Sequence, residues 1–156
     1  MNVIGAPLDG TGLHVGVVAG RFNDVVSTGI VAGTRARLTA LGVADDDIHL
    51  AWVAGAFEVP LAARAMAESG RYDAVVCLGA VIRGETPHFD FVAGEAAAGI
   101  MRAGHDTGVP VVFGVLTTDT VEQAMERADV ERGDKGADCA DAAVEMARLL
   151  GAIGGG

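Results

Sequence analysis

A length of 156 residues fits one domain, and a composition of 51% apolar and 21% charged residues is typical of a globular protein. The net charge of −10, with no cluster of Lys and Arg, disfavours nucleic-acid binding, and no uncharged apolar stretch reaches the roughly 18 residues of a membrane span. Because the N-terminus lacks the basic segment of a signal peptide, we expect a cytoplasmic protein. The mean hydropathy of +0.39 is high for a small chain with moderate charge, and it predicts that apolar surface is buried between subunits of an oligomer.

Four apolar, β-branched runs predict strands at Leu13–Ala19, Ile48–Val53, Ala74–Ile82 and Val109–Leu116. Stretches of helical period predict helices at about 24–41, 60–69, 90–104, 120–129 and 137–150. Strands of near-continuous apolar character indicate a parallel sheet covered on both faces. We therefore predict a three-layer α/β/α sandwich with a four-stranded, flavodoxin-like sheet.

Residues 13–150 are predicted to form this single domain. Residues 1–12 are expected to be loosely ordered or to pair with a neighbouring subunit, and residues 151–156 to form a flexible Gly-rich tail. Pro60 suits the first turn of a helix, and Asp119 followed by Glu122 resembles a capping box. Cys77 and Cys139 are expected to be buried free thiols.

Ligands of parallel α/β sheets bind beyond the carboxyl ends of the strands, so the loops that follow the four predicted strands are compared first. These loops are Gly20–Asp24, Gly55–Pro60, Arg83–His88 and Thr117–Thr120. Phe22 with Asn23, and Phe57 with Glu58, pair an aromatic ring with a polar group, a combination that suits a flat heterocycle. Local sequence alone favours helix capping for Asn23 and Asp24, whereas Glu58 is better explained by function.

The third loop combines an anion-binding pattern with a proton-transfer group. Gly84 and Thr86 can present backbone amides and a hydroxyl to a phosphate at the start of the next helix. His88 follows Pro87 and is the candidate catalytic residue, since imidazole exchanges protons near neutral pH. Structural roles suffice for the three other histidines, which are His14, His49 and His105.

Several classes of site are disfavoured by spacing. No His, Cys, Asp or Glu set has metal-ligand spacing, and neither a serine-hydrolase elbow nor a nucleotide-binding glycine pattern follows a strand. Sequence alone gives no reason to prefer Arg127 to Arg102 or Arg132 as a ligand contact. Lys135 is a stronger candidate, because it is the single lysine and lies near glycines.

Taken together, these loops resemble the 6,7-dimethyl-8-ribityllumazine synthase family of riboflavin biosynthesis, from about Val15 to Leu149. The matching segments are Gly20–Asn23, Gly55–Pro60, Gly79–Phe89, Phe113–Thr120 and Asp134–Gly136. The resemblance implies a transferase that condenses 5-amino-6-(D-ribitylamino)uracil with 3,4-dihydroxy-2-butanone 4-phosphate, giving the lumazine, phosphate and water. It implies no metal and no organic cofactor.

The resemblance also implies roles for individual residues. The aminouracil and its ribityl chain would be bound by Phe22, Asn23, Ala56, Phe57, Glu58, Val81, Ile82, Phe113 and Lys135, and the phosphate by Gly84, Glu85, Thr86 and Arg127. Phe113, Arg127 and Lys135 would come from the neighbouring subunit of a homopentamer, so each active site would lie at a subunit interface. His88 is our hypothesis for the proton shuttle.

Two other functions fit the same loops. A flavin- or lumazine-binding carrier module would use the aromatic residues without turnover. A structural shell protein with an idle site is a third interpretation, since some members of the family assemble pentamers into hollow particles.

Overall fold

The computed structural model describes residues 1–155, and within them four parallel strands form one sheet in the order β2-β1-β3-β4. The strands are β1 (Val15–Gly20), β2 (Ile48–Val53), β3 (Ala74–Ile82) and β4 (Val111–Thr118). The helices are α1 (Asp24–Ala40), α2 (Val59–Glu68), α3 (His88–Thr107), α4 (Val121–Ala128) and α5 (Lys135–Ile153), with a short 3-10 turn at Asp45–Asp47. The predicted α/β/α sandwich with a parallel flavodoxin-like sheet is confirmed.

The layers follow from the alternation of side chains along the strands. On β3, Val76 and Leu78 pack into a core with α1, α4 and α5, whereas Val75 and Cys77 pack into a second core with α2 and α3. All four of these β3 side chains have no exposed area. The apolar run that predicted β3 is therefore explained by burial on both faces.

The fourth strand ends two residues later than predicted. Thr117 pairs with Val81, and Thr118 pairs with Ile82, so both threonines belong to β4. Threonine is β-branched and fits a strand well, although its hydroxyl suggested a loop. The capping box that starts α4 is correspondingly one residue later than predicted, because the Gln123 N–H donates to Thr120 Oγ1 at 3.1 Å.

Two helices begin two residues earlier than predicted. α3 starts at His88 directly after Pro87, and α5 starts at Lys135 after Asp134, whose Oδ1 accepts from the Ala137 N–H at 3.0 Å. Proline favours the start of a helix, and the Asp134 carboxylate satisfies one of the free backbone donors there. His88 and Lys135 are thus the first residues of helices and not loop residues.

The two ends of the chain differ from each other. α5 continues through the first three residues of the predicted tail to Ile153, and Gly155, at a φ of 78°, follows its end. Gly156 lies outside the described residues. Near the N-terminus, Arg148 donates to the backbone oxygens of Asp9 and Thr11 at 2.8 and 2.6 Å, while Val3 and Ile4 are exposed.

No helix in residues 1–155 combines the length and apolar character needed to cross a membrane. The described part of the chain also contains no group of three or more His, Cys, Asp or Glu side chains arranged to hold a metal ion.

Candidate active site

All four predicted loops lie at the carboxyl edge of the sheet, because the strands are parallel. The chain passes from β1 outward to β2 and then returns to β3 on the other side of β1. The order of the strands therefore reverses between β1 and β3, which is where parallel sheets open a crevice for ligands. Phe22 and Asn23 follow β1 at this point.

One cavity at this edge, of about 410 Å³, is rich in aromatic side chains. We call it the aromatic cavity, and it is lined by Phe22, Gly55, Ala56, Phe57, Glu58, His88, Phe91 and Val92. Five of these residues were predicted site residues, which the structure brings together. Phe91 and Val92 were not predicted, although they lie three and four residues after His88 and so share its face of α3.

The rings of this cavity are unusually exposed for phenylalanine. Phe22, Phe57 and Phe91 have 66%, 59% and 68% of their surface accessible. Phe22 lies very close to Gly55, because a Cβ atom added to Gly55 would be only 2.8 Å from Cε2 of the Phe22 ring. Rings that project in this way are typical of a surface that binds a ligand or a partner.

Glu58 is held in a defined position beside these rings. The Gly55 N–H donates to Glu58 Oε2 at 3.0 Å, and the Glu58 N–H donates to the Gly55 carbonyl at 3.2 Å. Glu58 precedes Val59, the first residue of α2, where the positive end of the helix dipole favours a carboxylate. Its second carboxylate oxygen is available to accept from the N–H groups of a heterocycle.

Asn23 does not cap α1 through its side chain, so that interpretation was wrong. Its backbone is left-handed at a φ of 61°, and its Nδ2 donates to the Ala80 carbonyl of β3 at 3.1 Å. A left-handed conformation is tolerated by Asn better than by most residues. The Asn23 side chain therefore bridges β1 and β3, the point where the strand order reverses. The Asp24 carboxylate accepts from the Val25 N–H at 2.9 Å.

The segment from Gly84 to Thr86 is exposed and joins β3 to α3. The Thr86 hydroxyl accepts from the His88 N–H at 3.4 Å, which places both residues at the N-terminus of α3. Backbone donors at a helix start favour an anion. Glu85 is exposed as well.

A second cavity, of about 480 Å³, lies between α3, α4 and the edge strand β4. We call it the arginine cavity, and it is lined by Arg83, Phe89, Ala93, Gly94, Ala97, Phe113, Thr117, Thr118, Asp119, Gln123 and Arg127. Two predicted residues, Phe113 and Arg127, lie here, apart from the others. Arg127 Nη1 donates to the Gln123 carbonyl at 3.0 Å, and Phe113 is 46% exposed.

Helix α3 separates the two cavities. His88, Phe91 and Val92 face the aromatic cavity, whereas Phe89 and Ala93 face the arginine cavity. At 100° per residue these two sets lie on different sides of the helix. Within one chain, the predicted site residues that line a cavity thus fall into two groups, which we call half-sites.

The remaining predicted residues line neither cavity. Val81 is buried in the α2/α3 core, and Ile82 packs against the core on the opposite face, since adjacent strand residues alternate. Lys135 lies at the start of α5 and pairs with Asp138 at 2.7 Å.

Fold and cavities together define a flavodoxin-like α/β protein with binding loops for small molecules at the carboxyl edge of its sheet. A family model described as 6,7-dimethyl-8-ribityllumazine synthase matches residues 12–151, and the chain belongs to this family. This confirms the resemblance given by the loop motifs, and it supports a transferase function in riboflavin biosynthesis.

Proposed function

We propose that the chain is a 6,7-dimethyl-8-ribityllumazine synthase, which condenses 5-amino-6-(D-ribitylamino)uracil with 3,4-dihydroxy-2-butanone 4-phosphate. The observation that carries this proposal is the division of the family's site residues between two cavities of complementary chemistry at one edge of the sheet. The match to the 6,7-dimethyl-8-ribityllumazine synthase family supports this proposal. No metal or organic cofactor is part of the proposal, and we expect the enzyme to act in the cytoplasm.

The aromatic cavity suits the aminouracil. Phe22 and Phe57 offer ring faces for stacking, and the fixed Glu58 carboxylate can accept from the substrate's N–H groups. Asn23 and Ala56 border the same region and complete the surface for the ring and the ribityl chain. Val81 and Ile82 do not line this cavity in the single chain, and their proposed place, from the family resemblance, is the floor at the end of β3.

The phosphate of the second substrate is bound at the start of α3. Gly84, Glu85 and Thr86 contribute backbone donors and a hydroxyl, while the exposed Glu85 carboxylate stays clear of the anion. Arg127 completes the phosphate site through charge-assisted hydrogen bonds. Because Arg127 lies on the other side of α3, it comes from a neighbouring subunit.

A ring of subunits satisfies this requirement. When the two complementary surfaces lie on opposite sides of a subunit, head-to-tail contacts repeat around an axis and close into a ring. Each interface then joins the aromatic cavity of one subunit to Phe113, Arg127 and Lys135 of the next. A homopentamer is the assembly that we propose, and the exposed Phe22, Phe57 and Phe113 rings are covered in it.

The reaction proceeds by amine condensation. The 5-amino group attacks the butanone carbonyl, and loss of water gives an imine. Elimination of phosphate leaves a carbonyl on the neighbouring carbon, and the 6-ribitylamino nitrogen attacks it and closes the ring with loss of a second water. His88, at the mouth of the aromatic cavity and next to the phosphate loop, moves protons between these steps. Holding both substrates together contributes much of the remaining acceleration.

Purified protein mixed with both substrates should form the lumazine, followed by its absorbance, with an equal amount of released phosphate. A rate no higher than that without protein would rule out the enzyme. Binding of the aminouracil or the lumazine without turnover would instead favour the carrier function.

Co-expression of two inactive variants tests the shared site. His88→Ala damages one half-site and Arg127→Met the other, so hetero-oligomers purified through two different tags should regain about a quarter of wild-type activity by random pairing at each interface. If both half-sites belonged to one active site in the same chain, mixing would restore nothing. Native mass spectrometry of the same samples gives the number of subunits.

A further inference from the structure

Arg83, the first residue after β3, contacts three groups at once. Its Nε donates to Asp119 Oδ1 at 2.8 Å, and its Nη1 lies 3.5 Å from Asp90 Oδ1. Its guanidinium carbon lies 4.3 Å from the centroid of the Phe89 ring. One side chain therefore joins the turn before α4 to the first turn of α3.

The backbone of Arg83 is fixed by the sheet. Its N–H donates to the Thr118 carbonyl at 2.9 Å, one step beyond the last residue pair of β3 and β4, Ile82 with Thr118. A guanidinium that extends from such a fixed point reaches its partners in a defined direction, and its planar fork suits both carboxylates and aromatic faces.

The segment that Arg83 spans has few contacts of its own. Within the described structure, the local hydrogen bonds of residues 84–88 include the long one from the His88 N–H to Thr86 and one from the Asp90 N–H to the Pro87 carbonyl at 3.0 Å. The position of this segment thus depends on its two ends. Arg83 is one end, and it holds the other through Phe89 and Asp90.

Two further hydrogen bonds connect Asp119 to Arg127 through Gln123. The Asp119 N–H donates to Gln123 Oε1 at 2.9 Å, and Arg127 donates to the Gln123 carbonyl at 3.0 Å. Asp119, which accepts from Arg83, is therefore part of the turn that orients α4. Both half-sites are connected to a single guanidinium.

We propose that Arg83 is a positioning residue for the reaction. It fixes the position of residues 84–86 and His88, on one side of α3, relative to Arg127 on the other side. This inference rests on the proposed function. Arg83 is assigned no contact with substrate, because its guanidinium is already occupied by two carboxylates and an aromatic face.

Steady-state kinetics of Arg83→Met, Arg83→Lys and Asp119→Asn test the proposal, with Arg102→Met, an exposed arginine of α3, as the matched control. Arg83→Met should lower kcat by about 10- to 100-fold, since small misplacements of reacting groups have effects of that size. The KM of the butanone phosphate should change by less than about threefold, because no ligand group is removed. Arg83→Lys, which keeps the charge but loses the fork, should lie between wild type and Arg83→Met.

The double variant Arg83→Met/Asp119→Asn should be no slower than Arg83→Met alone, since the two residues act through one contact. A tenfold or larger rise in the KM of the butanone phosphate with kcat unchanged would overturn the proposal and make Arg83 a substrate ligand. Should Arg83→Met fail to fold, Arg83→Lys and Asp119→Asn decide the same question.

Hydrogen exchange gives a readout that does not depend on turnover. Peptides covering residues 84–92 should exchange at least about tenfold faster in Arg83→Met and Asp119→Asn than in wild type or Arg102→Met. Unchanged exchange in both variants would overturn the positioning role even if kcat fell. A wild-type protein without turnover would remove the proposed function, whereas the exchange result would still decide whether Arg83 holds this segment.

Discussion

The aromatic and arginine cavities are similar in size but differ in the charge of their linings. Three phenylalanine rings and one carboxylate line the first, and no Lys or Arg does so within residues 1–155. Two arginines, one aspartate and one glutamine line the second, together with the rings of Phe89 and Phe113. The aromatic cavity thus offers a stacking surface but no cation for a phosphate, whereas the arginine cavity offers cations but lacks Glu58 and His88. The difference favours the proposal that a second copy of the chain completes the active site.

The largest expected effect comes from removing the cation of the arginine cavity. Arg127→Met should lower kcat/KM by about 10²- to 10³-fold, mainly by raising the KM of the butanone phosphate, because the phosphate loses its charge-assisted partner. Arg132→Met is the matched control, since Arg132 lies outside the cavity and approaches Glu126 only at 3.9 Å. Equal losses in the two variants would remove Arg127 from the phosphate site.

Loss of the His88 imidazole from the aromatic cavity should act on turnover instead of binding. His88→Ala should lower kcat by about 10²-fold, near the lower end of general acid–base effects, and added imidazole should restore part of the rate. The measurement is kcat with both substrates saturating. An unchanged kcat would mean that His88 moves no proton in the slow step.

Phe22 lies in the aromatic cavity and Phe113 in the arginine cavity. Substitutions of the two rings therefore test whether both cavities bind the same substrate. Phe22→Leu and Phe113→Leu should each raise the KM of the aminouracil by about 2- to 10-fold, the range expected for a lost aromatic stacking contact. Tyr72→Phe, which removes only the hydroxyl that contacts His49 at 2.9 Å, is the control. If Phe113→Leu left this KM unaltered, the arginine cavity would have no part in binding the aminouracil.

The effect that is smallest near neutral pH concerns the two hydrophobic cores. Burial raises the pKa of the Cys77 thiol to about 12 and that of Cys139 to about 11. Both thiols therefore stay protonated in the folded chain while they ionise near pH 9 when unfolded. Stability is fully present below pH 9 and falls above it by about 1.4 kcal/mol per pH unit for each thiol, until its folded pKa is reached.

Denaturant unfolding of wild type and Cys77→Ala between pH 8 and 11 measures this slope, which should be shallower in the variant. Both thiols should also resist alkylation at pH 8 in the native protein and react once it is unfolded. Rapid native labelling of one thiol would show that its core is more open than the other.

The sequence predicted the fold because burial on both faces leaves an unambiguous apolar run in β3. It also predicted most residues of the aromatic cavity, since parallel strands bring their following loops to one edge. It did not predict that Asn23 bonds to Ala80, a contact across 57 positions of the chain. Likewise, the assignment of His88 to one side of α3 and Phe89 to the other depends on where the helix starts.

The close approach of Gly55 to Phe22 also makes position 55 useful to an engineer. A methyl group there would meet the side chain of Phe22 and not buried backbone, so Gly55→Ala would tilt an exposed ring without opening the core. We therefore expect position 55 to tune the acceptance of bulkier heterocycles through the tilt of the Phe22 ring.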